Sequence, residues 1–266
     1  MASSSKIVSA DEITIDEFKK LLSQYPALIK NVSDLKGAKN GQRTLKELDE
    51  YRYDDALDTF SSKEQVRPMN LDDIKTLVEW KLRHGKFRPT LMKLVLSNDP
   101  TDAQDIVKQA REKYNKDTNI EAALGVLTKL KGIGPATASL LLAVHDASRV
   151  IFFADEAFWW LCCNGKQSPI KYNTKEYRAV CSKTDDLRNR LGVHASDVEK
   201  VAYVLMKQSG QPEQLYDVAP SKQAKQSTSS TATKATKKRK PDAKPEMVKN
   251  VTHEQPTLRR SKRVKN

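Results

Sequence analysis

Apolar residues recur every three or four positions through most of the first 210 residues. Leu71, Ile74, Leu77, Val78 and Leu82 fall on one helical face. So do Ile120, Ala123, Leu124, Leu127 and Leu130, and later Val198, Val201, Ala202 and Leu205. A period near 3.6 gives each helix one apolar stripe to bury. No segment sustains the strict alternation of a half-buried strand. Val150-Ile151-Phe152-Phe153 is the one apolar run that reads as extended, and it is short. The pattern predicts an all-α domain over residues 13–210, with eight to ten helices, behind a flexible N-terminus of residues 1–12.

Local chemistry at the expected helix starts agrees. Five of the expected starts carry Ser or Thr followed three residues later by Glu or Gln: Thr14/Glu17, Ser61/Glu64, Thr101/Gln104, Thr118/Glu121 and Ser196/Glu199. Such pairs satisfy the backbone donors that a helix start leaves free. Breaks are expected at Asn40-Gly41, before Pro89, and at Asp99-Pro100, where a new helix opens. Asn164 to Pro169 reads as a surface loop. There is no internal repeat.

Charge changes the picture at the C-terminus. Residues 217–266 hold ten lysines and four arginines against four acidic residues, a net +10 of the chain's +13. Ser, Thr, Lys, Ala and Pro dominate there, a composition that cannot bury enough apolar surface to order itself. This predicts a disordered basic tail. Two dense clusters in it, Lys237, Lys238, Arg239 and Lys240, then Arg259, Arg260, Lys262 and Arg263, read as nuclear-import signals or DNA-contacting patches. Residues 1–216 carry only about +3, so the folded part needs a local patch, or backbone groups, to hold a polyanion.

Three cysteines, Cys162, Cys163 and Cys181, have no paired spacing. They suggest neither a disulfide framework nor a metal or cluster site. The N-terminus lacks the charged and apolar regions of a signal peptide, and no apolar run is long enough for a membrane span. A soluble, intracellular, monomeric protein without metal or other cofactor is expected.

One stretch carries specific chemistry: Leu127-Thr-Lys-Leu-Lys-Gly132-Ile-Gly134-Pro-Ala-Thr-Ala138-Ser-Leu-Leu-Leu142. A helix is expected to end near Leu130 and another to begin at Pro135, a favoured first helical residue. The glycines between them allow a tight turn and close approach to a neighbour. The second helix then presents unpaired amides and the positive end of its dipole, a setting suited to a DNA phosphate. Lys129, Lys131, Gly132, Ile133, Gly134, Ala136 and Thr137 are the expected backbone-binding residues. Such contacts position a protein without reading sequence. The alternative is a glycine turn between two core helices.

With the hairpin over residues 120–146 and Phe152-Phe-Ala-Asp155 about twenty residues beyond the glycines, the sequence resembles the helix-hairpin-helix DNA glycosylase superfamily, the group of endonuclease III and the 3-methyladenine glycosylases. It also resembles a set of eukaryotic nuclear proteins, the Amun group. The resemblance covers about forty residues, Leu124 to Cys163. It implies a helix-hairpin-helix glycosylase-like fold, DNA as partner, and Asp155 as the catalytic carboxylate. Three departures bear on activity. Ala136 stands where strand-cleaving members place a lysine, which implies a monofunctional enzyme. The family's iron–sulfur cysteines are missing. Glu156 follows Asp155, where Val-Asp-Thr-His is usual in the family. Two functions therefore stand open: a base-excision glycosylase, and a glycosylase-fold protein without chemistry that binds DNA or chromatin proteins in the nucleus, import receptors reading its tail.

Breaking a base–sugar bond builds an oxocarbenium-like cation, which a carboxylate stabilises. The target base must first leave the stack. Asp155 fits that role and equally reads as a helix N-cap, with Glu156 its nearest competitor. Phe158, Trp159 and Trp160 read as core or as a platform for a flipped base; Trp80 reads as core. Arg83, His84, Lys86 and Arg88 around Gly85 form a basic cluster, either a second phosphate contact or a solvated helix end. His145 and His194 stand alone, and Tyr51, Tyr53, Asp54 and Asp55 form a polar-aromatic cluster of no evident role.

Overall fold

The computed structural model describes residues 7–61 and 66–209, and these form helices and connecting turns, with no strand among them. In chain order they are α1 (Ile15–Leu22), α2 (Tyr25–Lys36), α3 (Leu45–Glu50), a π-helical turn (Tyr51–Asp55), α4 (Ala56–Phe60), α5 (Leu71–His84) and α6 (Leu91–Val95). Then come α7 (Pro100–Asp117), α8 (Ile120–Leu127), α9 (Pro135–Ala143), α10 (Asp155–Cys163), α11 (Thr174–Leu191) and α12 (Ala195–Gln208). The twelve α-helices among the described residues exceed the eight to ten expected. The surplus is short: α3, α4 and α6 have five or six residues each. A helix of that length shows too few apolar positions to reveal a period, and it forms only because its neighbours hold it.

The capping expectations divide. Thr14 and Glu17 form the expected reciprocal pair, Thr14 N–H donating to Glu17 Oε2 at 2.9 Å and Glu17 N–H to Thr14 Oγ1 at 3.3 Å. Ser61/Glu64 runs beyond the described residues. The other three are corrected. Asp99, rather than Thr101, caps α7, accepting from the Thr101 and Asp102 amides. Thr118 ends that helix in the left-handed region (φ 52°), and Asn119 caps α8. Ser196 lies inside α12, whose N-cap is His194. Asn and Asp serve as caps as well as Ser and Thr do. A search confined to hydroxyl residues therefore misses Asn70 on α5 and Asn173 on α11.

Residues 7–12, expected to be flexible, are tied down. The carbonyl of Val8 accepts from Trp160 Nε1 at 2.9 Å, and that of Ala10 from Arg190 at 2.7 Å. Ile7 lies against Gly165, so close that a β-carbon there would stand 2.6 Å from Ile7 Cδ1. A short extended segment thus acts as a strap across α10 and α11. The expected tail of residues 217–266, with Lys237–Lys240 and Arg259–Arg263, lies outside the described residues.

Two helices set the core. α12 packs against α1, α2, α10 and α11, and is buried from Val201 through Met206. The single apolar stripe expected of it is too narrow, because a helix with neighbours on several sides has little solvent face. In α9 every residue from Ala136 to Ala143 is buried, Ala138 fully. The run Val150–Phe153 is extended and buried but pairs with no strand. Two of its amides are met by side chains: Phe152 N–H donates to Glu199 Oε1 at 2.6 Å and Phe153 N–H to Ser139 Oγ at 2.9 Å. Buried backbone needs such partners when no ladder supplies them.

The cluster at residues 51–55 proves to be the π-helical turn. There Tyr51 donates to Asp73 Oδ1 at 2.9 Å, and Tyr53 to Glu199 Oε2 at 2.9 Å. Arg52, fully buried between them, reaches the same Glu199 oxygen at 3.4 Å. No helix of the described residues is long and apolar enough to cross a membrane.

A cleft joining the glycine turn to Asp155

The Gly132–Gly134 turn is built by local bonds. α8 ends at Leu127, three residues before the expected stop, and the chain tightens through Leu130 N–H to Leu127 O and Ile133 N–H to Leu130 O, both 3.1 Å. Ile133 is buried and anchors the turn. Asn98 clamps it from α6's side: its Oδ1 accepts from Lys131 N–H at 2.8 Å, and its Nδ2 donates to Lys131 O at 3.0 Å.

The two glycines do different work. Gly132 has φ 79°, and a β-carbon there would meet Leu94 Cβ at 3.0 Å and the Val95 amide at 3.2 Å. Gly132→Ala should therefore cost roughly 1–3 kcal/mol, read as a lowered urea midpoint. Gly134 is extended, caps α9, and would aim a β-carbon into open space. Pro135 follows as the first residue of the helix.

Amide pairing refines the expected donor set. Ile133 N–H is taken by Leu130 O, Thr137 N–H by Gly134 O at 3.0 Å, and Lys131 N–H by Asn98. Those three seat the turn. The amides of Gly132, Gly134 and Ala136 have no partner among the described residues and are the donors on offer. Each belongs to a residue that lines a cleft of about 810 Å³.

Asp155 lines the same cleft. The same walls hold Gly132, Gly134, Pro135, Ala136 and Thr137 with Phe153, Ala154, Asp155, Glu156, Trp159 and Tyr172. Asp155 is the first residue of α10, and the cap is Ala154, so the carboxylate is left to the cleft and does not close its own helix. Its Oδ1 accepts from Tyr172 Oη at 2.6 Å. Tyr172 is itself held in the left-handed region (φ 53°), uncommon for an aromatic residue, with Arg88 5.6 Å from its ring centre. Burial and the neighbouring Asp155 charge push the Tyr172 hydroxyl's pKa well up, so it stays a donor.

The cleft carries more basic than acidic side chains. Lys81, Lys86, Arg88 and Lys207 line the cleft against two carboxylates, Asp155 and Glu156. They make a local basic patch on a folded part whose charge is otherwise nearly balanced. Glu156 is buried, which raises its pKa, and lies 3.8 Å from Lys207, whose pKa burial lowers. Lys81 is half-buried; desolvation, helped by Arg88, brings its pKa down to about 8 against the opposing pull of Asp155. His84, at the floor, is held far below the usual histidine range by burial and stands neutral between Trp80 and Tyr203.

The remaining candidates separate. Lys86 and Arg88 line the cleft, whereas Arg83 turns away to the carbonyls of Arg43 and Gly37. Lys129 is exposed but outside the cleft wall, and Lys131 donates to Ser97 O at 3.3 Å. Trp80 and Trp160 are fully buried, Phe158 packs on the core, and Trp159 alone of the aromatic trio reaches the cleft. His145 is half-buried beside the Phe60 carbonyl, and desolvation lowers its pKa to about 4. Among the described residues no three His, Cys, Asp or Glu side chains converge on a metal-sized site. Lys81, Tyr172 and Lys207 had no sequence signal, because each arrives from a separate part of the chain. No protein-family model, curated protein or solved structure matches this chain.

Proposed function

We propose that this chain is a DNA-binding protein of the helix-hairpin-helix glycosylase type. It grips a phosphate with the Gly132–Gly134 turn and holds Asp155 across the groove for base excision. The observation that carries this reading is one cleft shared by three unpaired amides, a basic wall and a carboxylate that caps nothing. Amides at a helix start bind anions, and a carboxylate lining the same groove suits a cationic sugar. A cleft of about 810 Å³ is also roomy enough for a flipped base. Nuclear residence belongs to the same proposal and rests on Lys237–Lys240 and Arg259–Arg263.

Gly134→Asp tests the grip. An aspartate at this N-cap has room, and it would accept the α9 amides itself, which stabilises the helix while placing a negative charge where the phosphate should sit. Fluorescence anisotropy on a labelled duplex at fixed salt should show affinity down roughly 10- to 100-fold, the ~1.5–3 kcal/mol of one charge-assisted contact. The melting temperature should hold or rise. Unchanged affinity would remove the turn from the mechanism. Tight binding by the parent protein, with silence on a broad panel of damaged-base duplexes, would favour a chromatin-binding module without chemistry.

A further inference from the structure

The side chain that holds Asp155 is itself held. Tyr172 lies between two anchored neighbours: Lys171 N–H donates to Glu176 Oε2 at 3.0 Å, and Asn173 caps α11, its Oδ1 accepting from Glu176 N–H at 2.9 Å. With the chain fixed on both sides, Tyr172 sits in the left-handed region, where an aromatic residue stays only if its surroundings compensate. Its side chain shows what does so. The ring packs on Phe153, centre to centre 5.7 Å, the hydroxyl donates to Asp155 Oδ1 at 2.6 Å, and the Arg88 guanidinium carbon stands 5.6 Å from the ring centre.

Arg88 comes from a different part of the chain, the connection between α5 and α6. Pro89 restricts its backbone, and its carbonyl accepts from Leu91 N–H at 3.2 Å, the bond that opens the turn into α6. The side chain is exposed and lines the cleft, and no carboxylate pairs with it among the described residues. A phosphate contact would account for a cation in that place. It would not account for a guanidinium set over a tyrosine ring. Arginine stacks on aromatic faces as a flat ion, and a positive charge beside a phenol makes that phenol a stronger donor. Arg88 bears on the Tyr172 hydroxyl in this sense, against burial and the Asp155 charge.

We propose that Arg88 is a positioning residue for the carboxylate: it fixes Tyr172, and Tyr172 orients Asp155 toward the sugar. This rests on the reading of the cleft as a base-excision site. In this role Arg88 touches neither sugar nor base, and its effect passes through the tyrosine hydroxyl. The two uses of Arg88 differ in what they demand. Attracting a phosphate needs a cation; positioning needs a flat guanidinium over the ring.

Arg88→Lys in the full chain separates them, because lysine keeps the charge and loses the stack. Single-turnover base release at saturating protein should fall about 10-fold, within the range a misplaced catalytic group loses. Duplex affinity by fluorescence anisotropy and the melting temperature should stay near parent values. Tyr172→Phe should lose a similar factor in rate, and the double variant no more than Tyr172→Phe alone, since both changes break one chain of contacts. Arg88→Gln should lose affinity as well as rate, and its affinity loss should persist in the Tyr172→Phe background. A crystal structure of Arg88→Lys should show Tyr172 out of the left-handed region or its hydroxyl withdrawn from Asp155. Parent-level base release by Arg88→Lys overturns the assignment. So do rate losses that multiply in the double variant, and a crystal structure in which Tyr172 keeps both its backbone and its bond to Asp155. A parent protein that releases no base from any duplex sinks the glycosylase reading, and this assignment with it; base release by the parent and equally by Arg88→Lys sinks this assignment alone.

Discussion

Asp155→Asn should suppress base release by roughly 10²–10⁴-fold, the usual worth of one charged group acting in the transition state. Duplex affinity and melting temperature should stay at parent values. The reasoning is electrostatic. In the proposed reaction the departing base leaves a sugar with positive character, and Asp155 lines the cleft that would hold it. Asparagine has the same shape and still accepts the Tyr172 hydroxyl, so the wall stands, but the full negative charge is gone. Single-turnover assays with protein in excess separate this from any change in binding. Tyr172→Phe is the companion variant: it frees Asp155 Oδ1 and removes a donor that now orients the carboxylate. A smaller loss is expected there, because position changes while charge does not. Equal rates for parent and Asp155→Asn would take Asp155 out of the chemistry. Glu156 would be a poor successor, being buried and set beside Lys207.

Local chemistry was legible in the sequence, and convergent chemistry was not. The Gly132–Gly134 turn and the Pro135 start could be read because a tight turn and a helix start are specified within a few residues. Asp99-Pro100 and Thr14/Glu17 could be read for the same reason. Glu199 misled, because a glutamate three residues after Ser196 looks like half of a capping pair. In the fold it faces inward to Arg52, Tyr53 and Phe152. Tyr53 could not be interpreted until that partner, some 146 residues away, was in place. The cleft walls show the same limit. Lys81 sits in an ordinary amphipathic helix, and Tyr172 in a loop whose left-handed backbone no residue type announces. Donors within the turn were also over-counted, since sequence places Ile133 and Thr137 in the motif without showing that their amides are already spent.

Glu199→Ala should be the most damaging single change in the core, costing roughly 3–5 kcal/mol. Arg52 is fully buried, and Glu199 provides its only ion pair among the described residues; Nε and Nη1 of the guanidinium already lack hydrogen-bond partners. Its charge is also met by the ring faces of Tyr53 and Trp80, 4.7 and 5.7 Å from the guanidinium carbon, and through space by the buried Asp49 carboxylate. Burial pushes the Glu199 carboxyl's pKa up, and Arg52, the Phe152 amide and the Tyr53 hydroxyl pull it back. Alanine would strand all three donors in a dry core, with one of them still charged. That penalty is large against the ~5–15 kcal/mol that holds a domain together, and at about 2–4 °C per kcal/mol it should be plain in a thermal melt. Glu199→Gln keeps an acceptor for Phe152 N–H and Tyr53 and should lose distinctly less. The bond to Phe152 gives the change a second effect. Residues 152–154 lead directly into Asp155, and the Glu199 carboxylate is what fixes the first of their amides. Cleft chemistry should therefore weaken in Glu199→Ala even below its melting range, where the fold persists but the strand of chain carrying Asp155 has lost an anchor. A melt within 1 °C of the parent's would show that Arg52 is compensated by some means other than this carboxylate.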